Sequence, residues 1–228
     1  MGDTGSQGPG AGTDAGDNTD GDDLLDVIAP DGTVIGQARR DRVHREGLWH
    51  RTFHCLVVRS TSPTRVVFQR RSATSYFANK LDLTASGHLN AGEQPTEGVR
   101  ELGEEVGLAA EKSDLVPVGV QLIVDHRDGA RNHEQVHVFF LVNDQPLEHF
   151  IPDPAELGGV IEVETSAMLR LIDPTDIATS ASGLQWDGLR LKPVNITEAD
   201  LISGYQDYLA KVLIMAERLV AGQRPLAM

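Results

Sequence analysis

Residues 87–108 read GHLNAGEQPTEGVRELGEEVGL. The stretch opens on glycine and polar turn formers and closes on acids. Its second half predicts a short helix from Thr96 to Val106, stopped at Gly107, a residue type suited to a helix end. On such a helix residues three and four apart share a face, so Glu101, Glu104 and Glu105 crowd together, while Arg100 can reach Glu104. A solvated acidic face is the bland explanation. The sharper one is a hard divalent cation, Mg2+ or Mn2+, which needs oxygen ligands and relieves their repulsion. The glycine-rich loop before the helix lets backbone approach a ligand closely. Divalent ions in turn bridge and neutralise phosphate oxygens during attack. The residues point to a Mg2+ site acting on a phosphate compound.

At 228 residues the chain suits one domain, or a domain with an appendage. A hydrophobic content of 40% and a charged content of 24% are those of a soluble globular protein. The net charge of −14 argues against nucleic acid as a partner. Residues 1–23 hold Asp and Gly but almost nothing apolar, so burial cannot offset the entropy of ordering them, and they read as a disordered tail. Neither a secretory signal nor a membrane-spanning run is apparent, and the lone Cys55 fits a reducing compartment. The expectation is a cytoplasmic protein acting on a small molecule.

Around the opening stretch, LLDVIAPDGTVIGQARR predicts a hairpin turning at Asp31-Gly32. FHCLVVRS (53–60) and RVVFQRRS predict strands separated by a turn at Pro63, and residues 87–92 predict a loop. VPVGVQLIVDHRD and NHEQVHVFFLVN predict a long hairpin turning at Asp128-Gly129. VIEVETSAMLRLI reads as a strand leading into a short helix. A last helix is expected from Glu198 to Ala221, with Thr197 as N-cap, Gly222 beyond its end, and an apolar stripe including Leu201, Ile202, Tyr205, Leu209, Val212 and Leu213. That stripe suits packing on the domain, with a homodimer contact or a substrate lid as alternatives. Mixed strands and helices imply an α/β or α+β sandwich.

Residues 87–108 resemble the Nudix box of hydrolases that cleave nucleoside diphosphates linked to another moiety. Gly87 and Glu93 stand at the box separation, and Arg100, Glu101, Leu102, Glu104, Glu105, Gly107 and Leu108 match its second half without a gap. One departure is plain: six residues separate Glu93 from Arg100, where the box has seven. The resemblance implies an α/β/α sandwich with a mixed central sheet, over residues 24–172, followed by an extension over 173–228. It also implies that Glu101, Glu104 and Glu105 ligate the metal, with Ser86 contributing a carbonyl and Glu93 a further carboxylate. Arg100 would orient the acids, and Glu101 or Glu134 would serve as base. Arg70 and Arg71 end a strand beside the loop, where a guanidinium could grip a substrate phosphate, as could His88.

From about Ile28 to Val142 the chain also resembles the Nudix branch related to isopentenyl-diphosphate isomerase. His50, His88 and Glu134 fall on that enzyme's metal ligands, His44 is offset by one residue, and Asn132 replaces a second glutamate. The isomerase carries a cysteine where this chain has Ser86, and Cys55 sits on a predicted strand as a small buried residue. Read without the resemblance, His50, His54 and His88 are ordinary structural histidines, and His137 faces away. The expected activity is therefore hydrolysis, with an isomerase-like enzyme or a non-catalytic nucleotide-binding module as alternatives.

Overall fold

The structure, a computed structural model, describes residues 23–127 and 131–228. All of the tail expected over 1–23 except Asp23, and the Asp128-Gly129 turn, lie outside the described residues. The first hairpin forms as expected: β1 (Leu24–Ile28) pairs antiparallel with β2 (Val34–Arg39), and Gly32 takes a left-handed φ of 85° at the turn. A short helix, α1 (Arg40–Glu46), follows and ends at Gly47.

The strand predicted from Phe53 begins earlier, as β3 (Trp49–Arg59). Its partner explains the extension. From Trp49 to Val58 it runs parallel to β8 (Asn132–Val142), and a parallel strand covered on both faces reads as an unbroken apolar run. Antiparallel strands complete the mixed sheet: β4 (Arg65–Arg71), β7 (Leu115–Asp125) and β9 (Leu157–Glu164). After β9 come α3 (Thr165–Ile172) and a hairpin that was not expected, β10 (Ala181–Trp186) with β11 (Leu191–Ile196). The order is β11-β10-β9-β4-β3-β8-β7. Pro193 is tolerated in β11 because that strand is an edge.

Between β3 and β4 the sheet forks. They pair only from Val57 to Arg59. Beyond that point β6 (Ala85–His88) takes the edge of β3, and β5 (Leu81–Leu83) takes the edge of β4. Gly87 and His88 are thus strand residues rather than part of the expected loop, because antiparallel pairing with Phe53 and Thr52 satisfies their backbone. On one face Phe53, Cys55, Val57, Val67 and Ala85 pack with Leu102 and Val106 of α2 (Arg100–Val106). On the other, Leu56, Val66, Phe68, Val138 and Phe140 pack with Met168, Val212 and Leu213 from α3 and from α4 (Gln206–Val220). Each fully buried aliphatic side chain contributes about 1.5–3 kcal/mol, so burial on both faces of the sheet holds the helices to it.

Two expected helices are corrected. Over Thr96–Val106 only α2 is α-helical; Pro95–Val99 winds as a 3-10 helix. That tighter turn accommodates the short spacing in the box. Five 3-10 residues turn roughly 600° and rise about 10 Å, close to the roughly 600° and 9 Å of six α-helical residues. Gly98 makes the close approach possible, since a Cβ there would stand 2.4 Å from Phe53 Cβ and Cγ. Phe53 is fully buried and cannot yield. Gly98→Ala is expected to cost about 1–3 kcal/mol by overpacking, read as a lower urea midpoint with an unchanged slope.

The last helix is also shorter than Glu198–Ala221. Thr197 caps a separate 3-10 turn, Glu198–Asp200, through reciprocal bonds with Asp200. The chain then leaves helical geometry to bury Leu201 and Ile202, and Leu201 bridges to Leu81. Only after Gly204, at a φ of 84°, does α4 begin. Gly222, at a φ of 69°, lies beyond its end as expected. Among the described residues no helix is long and apolar enough to cross a membrane.

Candidate active site

β6 lies in the fork, and its successive side chains point to opposite faces of the sheet. On the α2 side stand the box acids. Glu101 and Glu105 are buried, at 8% and 6% exposure. Glu105 accepts a hydrogen bond from the Ser86 backbone N–H at 2.9 Å and a longer one from Gln69 Nε2 at 3.4 Å. The Glu101 carboxylate lies so close to Gly87 that a Cβ there would come within 2.1 Å of its Oε1. Only a glycine leaves room for that carboxylate, which accounts for the first residue of the box.

Burial pushes Glu101 up to about 7, with Glu104, Glu156 and Glu93 adding repulsion against the pull of Arg100. Burial likewise raises Glu105 well above the ordinary carboxyl range, and the charge of Glu101 adds to it. Two acids held dry and mutually repelling are costly to ionise without a cation. That is the donor set a divalent ion fits.

Arg100 organises the cluster. It reaches Glu93 at 3.2 Å, Glu101 at 2.7 Å, Glu104 at 2.8 Å and the His88 carbonyl at 2.9 Å. Glu104 differs from the other two acids: its side chain is 57% exposed and turned out to Arg100. The structure therefore brings Glu101 and Glu105 together at β6 and leaves Glu104 exposed against Arg100. Glu93 also stays close, accepting from the Asn90 N–H at 2.8 Å.

On the opposite side of β6 the histidines gather. Among the described residues, His44, His50 and His88 form the group whose candidate ligand atoms already lie within 4.8 Å of one another. His44 Nε2 is 3.1 Å from His88 Nε2, and the His50 and His88 rings stack at 5.1 Å. Burial, with repulsion from neighbouring cations, pushes His44 and His50 down to about 4 and His88 well below its ordinary value. All three are neutral imidazoles, the form that binds metal, and the buried His50 Nε2 has no hydrogen-bond partner.

Glu134 is buried on β8, opposite His50 on β3, with its pKa raised by burial against the opposing charge of His54. His137 alternates to the face of Phe139 that packs on α2, so it lies on the face of the box acids instead of facing away as expected. The two arginines part company. Arg70 is held by Asp200 at 2.8 Å and by the Asn79 carbonyl, so it serves to anchor the segment before α4. Arg71 meets Asp82 at 3.3 Å and keeps a buried Nε without a partner, a spare donor beside the acids. Cys55 is fully buried against α2, and burial raises its thiol far above the reactive range.

Three neighbours were not anticipated. Gln69, fully buried on β4, donates to Ser86 Oγ at 3.1 Å as well as to Glu105. A polar residue inside the run RVVFQRR was the available signal. Tyr208 of α4 meets His54 Nδ1 through its hydroxyl at 3.0 Å, and no sequence pattern singled it out. Glu156, just before β9, stands close enough to raise both buried box acids, and no motif marked it.

The NUDIX domain family matches residues 48–181. An uncharacterised Nudix hydrolase of Clostridium acetobutylicum is 31% identical over 183 residues, covering 78% of this chain and 89% of that one. The isopentenyl-diphosphate Delta-isomerase of Serratia proteamaculans is 33% identical over 120 residues, 52% of this chain and 65% of the enzyme. A crystal structure from Deinococcus radiodurans is similar at 20% identity and a TM-score of 0.49, over 68% of this chain and 91% of that one. The chain belongs to the Nudix hydrolase family, a class of pyrophosphohydrolase enzymes.

Proposed function

We propose that the chain is a cytoplasmic Mg2+-dependent hydrolase, with Mn2+ as a substitute, that cleaves the diphosphate bond of a nucleoside diphosphate-linked or related small molecule. The single observation behind this reading is the buried, mutually repelling pair of Glu101, packed against Gly87, and Glu105, held by the Ser86 N–H. A divalent ion supplies there the charge that neutralises diphosphate oxygens and activates water. Glu101, Glu105 and, after a rotamer change, Glu104 would hold it, with the Ser86 carbonyl and Glu93 nearby. Water would form the new P–O bond as the bridging P–O bond breaks, and Glu101 would take the water's proton; Glu134, expected as an alternative base, shares the face of Val136 and Val138 with the histidines, across the sheet from these acids. Arg71 is placed to offer its spare Nε–H to a phosphate. Purified protein with Mg2+ and a panel of nucleotide sugars, dinucleoside polyphosphates and nucleoside di- and triphosphates should release phosphate or a nucleoside monophosphate. No release from any of them under Mg2+ or Mn2+ would overturn the reading.

The paired acids also predict how metal and pH combine. Glu101 moves from an ordinary value near 4.5 up to about 7 on folding. Below 4.5 it is protonated in both states. As pH rises through that window the unfolded chain releases a proton that the folded one keeps, so metal-free stability drains away. His44 and His50, held near 4, drain stability in the opposite sense as pH falls from about 6.5. Comparing melting with and without Mg2+ at each pH removes the histidine part. The stabilisation by Mg2+ should be small near pH 5 and several degrees near pH 8; a constant increment would count against the paired acids as ligands.

One observation favours a second reading. The His44–His50–His88 cluster suits an isomerase-like metal centre. Ser86 in place of a cysteine, with Cys55 sealed in the core, weighs against it. Formation of an allylic diphosphate from its isomer would favour the isomerase over hydrolysis.

A further inference from the structure

The segment before residue 48 lies outside the family match, yet it is wired into the box loop. Asp26, on β1, is buried at 5% exposure. Its carboxylate accepts from Arg51 Nη2 at 2.7 Å, from Gln37 Nε2 at 3.0 Å and from the Gly92 backbone N–H at 3.0 Å. Beside it the Ala91 N–H donates to the Leu24 carbonyl at 2.7 Å, and Leu25 bridges to Asn90. The loop Asn90–Gly92 is thus fastened to the first hairpin in the manner of a short added strand. Gly92 holds a left-handed φ of 84° at this point. The next residue, Glu93, is closed onto Asn90 by two backbone N–H bonds: its own N–H to the Asn90 carbonyl at 2.9 Å, and the Asn90 N–H to its carboxylate at 2.8 Å. That carboxylate meets Arg100, and Arg100 meets Glu101.

We propose that Asp26 is a positioning residue of the metal site: by pinning the Gly92 N–H it sets Glu93 against Arg100, and through Arg100 it sets Glu101 against Gly87. This rests on the reading of the site given above. A hairpin that merely stabilised the fold would need no charged acceptor aimed at the box loop. Supporting groups behind metal ligands are typically worth roughly 10–100-fold in metal affinity.

The test is a Mn2+ titration of the full chain, followed by the loss of free-ion electron resonance well below the melting midpoint. The sites counted are those lost in Glu105→Gln. Asp26→Ala should bind Mn2+ about tenfold more weakly than wild type, with faster hydrogen exchange at the Gly92 amide. Gln37→Ala removes an Asp26 partner that does not touch the loop and should leave affinity unchanged. Asp26→Asn keeps an acceptor without the charge and should fall between wild type and Asp26→Ala; it decides the matter should Asp26→Ala fail to fold. Unchanged Mn2+ affinity in the folded Asp26 variants overturns the proposal, as does an equal loss in Gln37→Ala. If wild type takes up no Mn2+ at the sites defined by Glu105, the hydrolase reading itself fails, and the positioning role with it.

Discussion

Replacing Glu105 by glutamine should lower turnover roughly a thousandfold, the loss of several kcal/mol of charge stabilisation from the transition state. The same change should leave the metal-free fold at least as stable as before. Both halves follow from one geometry. Glutamine keeps the shape of Glu105 and an oxygen to accept the Ser86 N–H, so the contacts at β6 survive. What disappears is a carboxylate that is expensive to ionise in its buried place beside Glu101. Without metal that charge is a burden; with metal it is a ligand. Phosphate release and a thermal melt in a chelator, on the same preparation, check the pair of effects. Retained activity would remove Glu105 from the site.

Gly87→Ala should be nearly as damaging, about a hundredfold in kcat/KM, the scale expected when a catalytic group is displaced by about 1 Å. The new methyl would meet the far end of the Glu101 side chain, its Oε1 at 2.1 Å and Cδ at 2.2 Å, rather than backbone. The carboxylate can swing away, so β6 survives and the loss falls on function. Gly98→Ala is the contrasting case, because its clash is with the root of Phe53 and falls on stability. An alanine at residue 87 with unimpaired kcat/KM would show that Glu101 works from some other position.

The box was legible in the sequence because its chemistry lives in residue types at fixed helical offsets: Arg100, Glu101, Glu104 and Glu105 fall on one short helix whatever surrounds them. Its irregularity was legible too, as one missing residue, but not the 3-10 winding that accommodates it. That depends on Gly98 meeting Phe53 across the core. Rotamers were invisible, and so Glu104 was grouped with two acids that it does not join without moving. The histidine cluster was accessible only through family resemblance, since His44, His50 and His88 come from α1, β3 and β6 and meet through strand pairing and the docking of α1. The C-terminal hairpin escaped because ASGLQW and LKPVNI carry glycine, proline and lysine where strand signals would stand. Tyr208 escaped because its partner His54 lies 154 residues away in the sequence.

The most direct measurement is anomalous diffraction from crystals soaked in Mn2+, recorded at the manganese edge. The account predicts a peak on the α2 side of β6, between Glu101 and Glu105 and beside Gly87. A peak confined to His44, His50 and His88, with none between the two acids, would contradict it.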